Sequence, residues 1–297
     1  MRLAFLGTPE AAVPSLRALV AAGHDVALVI SQPDRRRGRG SETSASPVKA
    51  AALALGLDVA DDLSALADID VERAVVVAYG EMIPAAVLAR TPMLNVHFSL
   101  LPRWRGAAPV ERAILAGDEE TGVGIISLEV TLDTGPLHAE ARTVIGDKTA
   151  SELIAELAEL GAQLLVEVLA SEDLLAHPWP QQGESTYAAK VTPETFHVTP
   201  AMTVAEALRV VRLERAFVKV QGRRLRVLRA HAHLDLDLDL DAPDVGTGFV
   251  RATREAVCLM MADGALELTW VQPEGSRTMS ALAWWAGARL DGVVAWD

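Results

Sequence analysis

Three polar side chains in this sequence are spaced so that they could act together. Asn95 and His97 stand two residues apart in Asn95-Val96-His97, and a carboxylate follows in Leu132-Asp133-Thr134-Gly135. Spacing of two puts both side chains on one face of a strand, and at a strand end both can enter one crevice. An amide donates to a developing oxyanion. An imidazole titrating near neutrality steadies that oxyanion when charged, or takes a proton when neutral. A carboxylate orients the imidazole and favours its charged form. Together they suit group transfer from an N-acyl donor to an amine through a tetrahedral intermediate. Alone, Asn-x-His and Asp-Thr-Gly are common by chance. Ser99-Leu100-Leu101-Pro102, directly after the pair, adds apolar side chains and backbone groups that could surround a flat heterocycle.

The elements that must position these groups alternate strand and helix. Residues 2–7 read as a buried strand, and a helix follows to about Ala22 with Gly23 as its C-cap. Further strands are expected at Val26 to Ile30, Ala74 to Ala78, Leu94 to Phe98 and Val123 to Val130. Helices are expected at Val48 to Leu55 and Val110 to Ala116. Thr149-Ala150-Ser151-Glu152 is a capping box that opens a long helix to about Ala170. This alternation predicts a Rossmann-like α/β domain with a parallel sheet. Gly7-Thr8-Pro9 is not a dinucleotide fingerprint. Gln32 to Pro47, rich in Arg, Gly and Ser, reads as a loop at the carboxyl end of a strand, where such folds place ligands.

The prolines and glycine of His177 to Glu184 mark a linker. Beyond it come one short helix, Val204 to Leu213, and β-like runs at Ala216 to Val220, Leu225 to Leu228, Gly248 to Arg251, Ala256 to Met261 and Ala265 to Val271, the spacing of a small β-barrel. The expected division is a catalytic domain at 1–182, a linker at 183–200 and an OB-like barrel at 201–297. Leu234 to Asp241 alternates Leu and Asp and reads as an exposed acidic loop.

At 297 residues and 51% hydrophobic, the chain can build two cores. No apolar run reaches the roughly 18–20 residues of a membrane span. Met1 to Leu6 reads as a strand rather than a signal peptide. The single cysteine, Cys258, has no partner for an internal disulfide, which suits the cytoplasm, and it reads as a small core residue. Net charge is −13, yet four arginines lie between Arg35 and Arg39, and eight basic residues against one acid between Arg209 and Arg229. Local basic tracts on an acidic chain suit a specific polyanion contact.

The chain resembles the 10-formyltetrahydrofolate-dependent formyltransferases, and the methionyl-tRNA formyltransferases among them. The motifs that carry this are dense over residues 1–192. They include Gly38-Arg39-Gly40 with Ser46-Pro47-Val48-Lys49, Val76-Val77-Ala78-Tyr79-Gly80 with Ile83-Pro84, Arg103-Trp104-Arg105-Gly106-Ala107-Ala108-Pro109, and Thr186-Tyr187-Ala188. The resemblance implies catalysis by Asn95, His97 and Asp133, and folate contact through Ser99, Leu100, Leu101 and Pro102. It implies tRNA contact through Arg36, Arg37 and Arg39. It further implies initiator methionyl-tRNA as acceptor, 10-formyltetrahydrofolate as donor, no metal, and a monomer. An amino sugar on a nucleotide is the alternative acceptor. A formyl-donor hydrolase and a non-enzymatic RNA-binding module are weaker alternatives, because the loop and the triad would then go unexplained.

Overall fold

The computed structural model describes residues 1–36, 43–233, 246–290 and 294–297. The chain divides into two compact units. One comprises Met1–Arg112, Glu119–Gly146 and Glu152–Ala189; the other comprises Ala113–Asp118, Asp147–Ser151 and Lys190–Asp297.

The first unit is built on a seven-stranded sheet. Its strands are β1 (Arg2–Gly7), β2 (Asp25–Ile30), β3 (Val59–Ala60), β4 (Arg73–Val77), β5 (Met93–His97), β6 (Glu120–Ser127) and β7 (Leu137–Val144), in the order β7-β6-β5-β4-β1-β2-β3. From β3 to β5 all neighbours pair in parallel. β6 and β7 are antiparallel, so the parallel sheet predicted above carries a mixed edge. β7 escaped the sequence reading because Leu137–Val144 mixes charged and apolar residues without clean alternation, as an edge strand can. Leu3, Ala4, Phe5 and Leu6 all have zero exposure, the consecutive burial of a strand covered on both faces. Helices α1 (Val13–Ala21), α2 (Pro47–Ala54), α3 (Ala85–Leu88), α4 (Pro109–Ala116), α5 (Ala150–Ala170) and α6 (Glu172–Ala176) follow in chain order, with α4 and α5 crossing the division between the units. Ser46 caps α2 by accepting from the Lys49 N–H, and Pro47 supplies a first residue that needs no donor.

The segment expected to link the domains is structured. Tyr187–Ala188 pairs in parallel with Arg105–Gly106, and Trp179 bridges Leu137. Within the 183–200 segment, the Thr186 and Ala188 carbonyls accept backbone hydrogen bonds from the loop at Arg105 and Ala107.

In the second unit, among the described residues, α7 (Val204–Val211) precedes a seven-stranded sheet, in which Met279–Ser280 pairs off the path of the other six strands. They are β8 (Phe217–Val220), β9 (Arg223–Ala232), β10 (Phe249–Ala252), β11 (Val257–Met260), β12 (Ala265–Pro273) and β13 (Val294–Ala295), in the order β8-β9-β12-β11-β10-β13. Asp297 N–H donates to the Lys219 carbonyl at 2.8 Å and Trp296 bridges Val220, which nearly closes the sheet into a barrel. On β9 the period-two pattern is explicit: Leu225 and Val227 enter the core while Arg224 and Arg226 are exposed. A last helix, α8 (Ala281–Ala288), was not foreseen, since its near-uniform Ala/Trp/Leu composition has no amphipathic period. Cys258 is 1% exposed and packs with Ala256 and Ala265. Burial, and then the neighbouring Glu267 charge, push its thiol up to about 12. The Leu-Asp stretch at Leu234 to Asp241 lies outside the described residues.

Candidate active site

β5 ends at His97, so Asn95 and His97 leave the same face of the sheet at its carboxyl end. Asp133 comes to them from the loop between β6 and β7. It adopts the left-handed conformation at φ 53, a region that a short polar side chain tolerates better than most. All three are buried, at 8%, 6% and 5% exposure, so their mutual contacts are little screened.

Asp133 is the hub. Its Oδ2 accepts from the Gly106 N–H at 2.8 Å. Its Oδ1 accepts from Asn95 Nδ2 at 3.4 Å and lies 3.6 Å from His97 Nδ1. The other ring nitrogen, Nε2, is 3.0 Å from the Trp104 carbonyl oxygen. Both ring nitrogens therefore face oxygen acceptors, one at hydrogen-bond distance and one just beyond it.

The loop that presents Trp104 and Gly106 is fixed from outside. Trp104 N–H donates to Thr186 Oγ1 at 2.8 Å, Arg105 N–H to the Thr186 carbonyl at 3.0 Å, and Ala107 N–H to the Ala188 carbonyl at 2.9 Å. Gln181, absent from the sequence reading of the site, ties this loop to the aspartate. Its Nε2 donates to the carbonyls of Asp133 and Gly135, both at 2.8 Å. Its Oε1 accepts from Arg105 Nε and Nη2 at 3.0 and 2.6 Å. Only the amide functions of Gln181-Gln182 hinted at this, inside a stretch whose prolines and glycine signalled a linker.

The triad borders a cavity of about 500 Å³ whose wall also includes Val76, Tyr79, Ile83, Phe98, Leu128 and Leu132. That wall is mostly apolar, with the three polar groups converging in it and Glu81 and Glu129 also on the lining, the usual mixed composition of a small-molecule site. Burial, followed by the charges of Glu81 and Asp62, holds the Tyr79 phenol above its ordinary pKa, so it remains a donor at neutral pH.

The other sequence-predicted residues fall elsewhere. Ser99, Leu100, Leu101 and Pro102 are not on the cavity wall. Ser99 has zero exposure and donates its hydroxyl to the Arg103 carbonyl at 2.7 Å, while Leu101 packs with Ile126 and Leu137. Arg36 lies in a short ribbon, Arg35–Arg36 against Thr43–Ser44. Arg37 and Arg39 lie outside the described residues. Lys49, next to that ribbon in sequence, bonds Asp34 and Asp61 at 3.0 and 3.1 Å, and these hydrogen bonds raise its pKa.

Among the described residues no helix is long and apolar enough to cross a membrane. Residues 1–169 match the formyl transferase family, and residues 191–289 match the formyl transferase C-terminal domain. The chain is 47% identical to a methionyl-tRNA formyltransferase of Novosphingobium aromaticivorans, over 98% of both chains. Among solved structures it is similar to HypX from Aquifex aeolicus in complex with tetrahydrofolic acid, with TM-score 0.66 and 22% identity, covering 98% of this chain. The chain spans about half the length of that protein, 48%. It is also similar to an N-formyltransferase from Helicobacter canadensis in complex with folinic acid and dTDP-3-aminofucose, with TM-score 0.67 and 16% identity over 91% of this chain and 98% of that one. Two domain matches in the family's order and a full-length relative at this identity show that the chain belongs to the methionyl-tRNA formyltransferase family.

Proposed function

We propose that the chain transfers a formyl group from 10-formyltetrahydrofolate to the amine of methionine on initiator methionyl-tRNA. The observation that carries this reading is the convergence of Asn95, His97 and Asp133 on one apolar cavity. The acceptor nitrogen attacks the formyl carbon and a tetrahedral intermediate forms. Its C–N bond to the folate then breaks, the folate nitrogen gains a proton and the acceptor amine loses one. Asn95 carries two amide N–H donors; Asp133 takes one, leaving the other for the oxyanion. His97 shuttles the proton, and Asp133 fixes its ring. The donor's heterocycle occupies the cavity beside Tyr79 and Ile83, a wall that suits a flat ring. Ser99 to Pro102 act behind that wall, bracing the loop that carries Trp104 and Gly106.

Two features favour methionyl-tRNA over an amino sugar. Met82 and Leu132 line the cavity at 63% and 39% exposure, an apolar rim that suits a methionyl side chain. In the second unit Arg215, Arg224 and Arg226 border a surface cavity of about 490 Å³, and Arg36, Arg37 and Arg39 add positive charge in the first, which suits contact with tRNA phosphates. A monomer acting in the cytoplasm, with residues 1–182 as its catalytic domain, is part of this reading.

The decisive test is an acceptor screen with 10-formyltetrahydrofolate. Initiator methionyl-tRNA should be formylated, and nucleotide amino sugars should not; the reverse preference would overturn the reading. The KM for tRNA should also rise steeply with salt while that for the folate stays nearly flat, because phosphate contacts release counterions. A flat tRNA titration would remove the basic residues from recognition.

Gln181→Ala should lower kcat by about 10–100-fold, since the turn of Asp133 loses two donors and the reacting groups lose registration. KM values should change little, and the thermal midpoint should fall by only a few degrees. Unchanged kcat would show that the Asp133 turn holds itself.

A further inference from the structure

The barrel carries a second cluster of side chains that the formyl-transfer reading leaves unused. His231, Glu267 and Cys258 are direct cross-strand neighbours on three adjacent strands, β9, β12 and β11. Opposed residues in antiparallel strands project from the same face. Here it is the face opposite the core, since Leu266, Leu268, Val257 and Leu259 fill the core from the alternate positions. His233, just past the end of β9, joins them. Its Nδ1 lies 2.8 Å from Glu267 Oε2, and His231 Nε2 lies 3.1 Å from the same oxygen. One potential ligand atom from each of His233, Cys258 and Glu267 falls within 4.8 Å of the other two.

We propose that His233, Cys258 and Glu267 bind one divalent transition-metal ion of the zinc class, with His231 placed beside the site to serve as the fourth ligand or to orient Glu267. The donor set is one thiolate, one carboxylate and imidazole, the mixture that zinc accepts and that magnesium and calcium do not. Charge favours it, because a dication neutralises the thiolate and carboxylate together. Binding exchanges the thiol proton for the ion, so one proton is released and no electron moves. Reaching the ligand spacing of a tetrahedral zinc, about 3.3–3.8 Å from bond lengths of about 2.0–2.3 Å, requires the ion to replace the 2.8 Å His233–Glu267 contact and to gather ligand atoms that already lie within 4.8 Å of one another. Paired histidines on a carboxylate would account for Glu267 alone; they make no use of a thiol within 4.8 Å on the next strand. Arg251, opposite Cys258 on β10, is the cation that faces the cluster from the remaining strand.

The chain has a single cysteine, which makes the test specific. Full-length protein is stripped with chelator and titrated with cobalt(II). The expected result is a sulfur-to-cobalt charge-transfer absorption that saturates at one equivalent and disappears on adding zinc. Cys258→Ser should abolish that absorption. Glu267→Gln should weaken zinc binding by at least about tenfold. Zinc should raise the thermal midpoint of the parent chain and leave that of Cys258→Ser unmoved, a readout independent of formyl transfer. The far-UV spectrum of each variant shows that it has folded. Absence of thiolate absorption in the folded parent chain, or equal zinc affinity in Cys258→Ser, would overturn the site and leave an ion-pair cluster.

Discussion

Asp133→Asn is expected to reduce formyl transfer by about 10³-fold or more while the chain still folds. The reason lies in what each carboxylate oxygen does. Oδ2 accepts from the Gly106 backbone N–H, and Oδ1 accepts from the Asn95 amide and faces His97. An asparagine offers one acceptor and one donor group in that place. If its oxygen meets Gly106, its NH2 opposes the NH2 of Asn95. If it flips, two N–H groups collide at Gly106. Neither arrangement leaves an acceptor for every donor, and the His97 ring loses the charge that orients it. The buried site should lose about 1–3 kcal/mol from an unsatisfied donor, which a marginally stable domain can survive. The check is single-turnover formylation beside a denaturant melt. A variant that keeps near-normal single-turnover rates would remove Asp133 from the mechanism, whatever its stability.

The triad was legible in the sequence because its geometry follows from period two on one strand plus a turn motif. Asn95 and His97 share a face of β5 for the same reason that Leu225 and Val227 share the barrel core. The groups that hold the triad were not legible. Gln181 acts through a side-chain amide on two carbonyls, Trp104 through a backbone oxygen, and Gly106 through a backbone N–H. Main-chain groups leave no residue-type signature, and Gln181 sits 48 positions from Asp133 in a stretch without periodicity. Strands that alternate or are buried on both faces announced themselves; edge strand β7 and the evenly apolar α8 did not. Ser99 to Pro102 show the converse case. Their composition suggests a ligand wall, and in the fold Leu101 packs against Ile126 and Leu137, so core packing and ligand contact draw on the same apolar residue types.

Gly135→Ala is expected to be the most damaging single methyl addition near the site. The motif Leu132-Asp133-Thr134-Gly135 passes so close to the end of β6 that a Cβ on Gly135 would lie 1.8 Å from the Ser127 carbonyl oxygen and 2.9 Å from its carbonyl carbon. Both are backbone atoms, so no rotamer change relieves the overlap. Ser127 is held in turn, its N–H donating to the Pro136 carbonyl at 3.0 Å, so the strand end and the turn must separate together. That separation carries off the Gly135 and Asp133 carbonyls that Gln181 grips, and with them the carboxylate that reaches Asn95, His97 and Gly106. Stability should fall by about 2–3 kcal/mol, the range for forced overpacking, and kcat by about 10²-fold or more from the displaced aspartate. Gly146→Ala is the control. Gly146 has φ +51 with nothing within 4 Å of an added Cβ, so the same methyl meets only backbone strain of roughly 1 kcal/mol and kcat should stay near normal. Thermal melts and single-turnover rates on the two variants separate the effects. Equal losses in both would mean that generic strain, not the approach of the turn to β6, sets the damage, and that the glycine of the motif does not position Asp133.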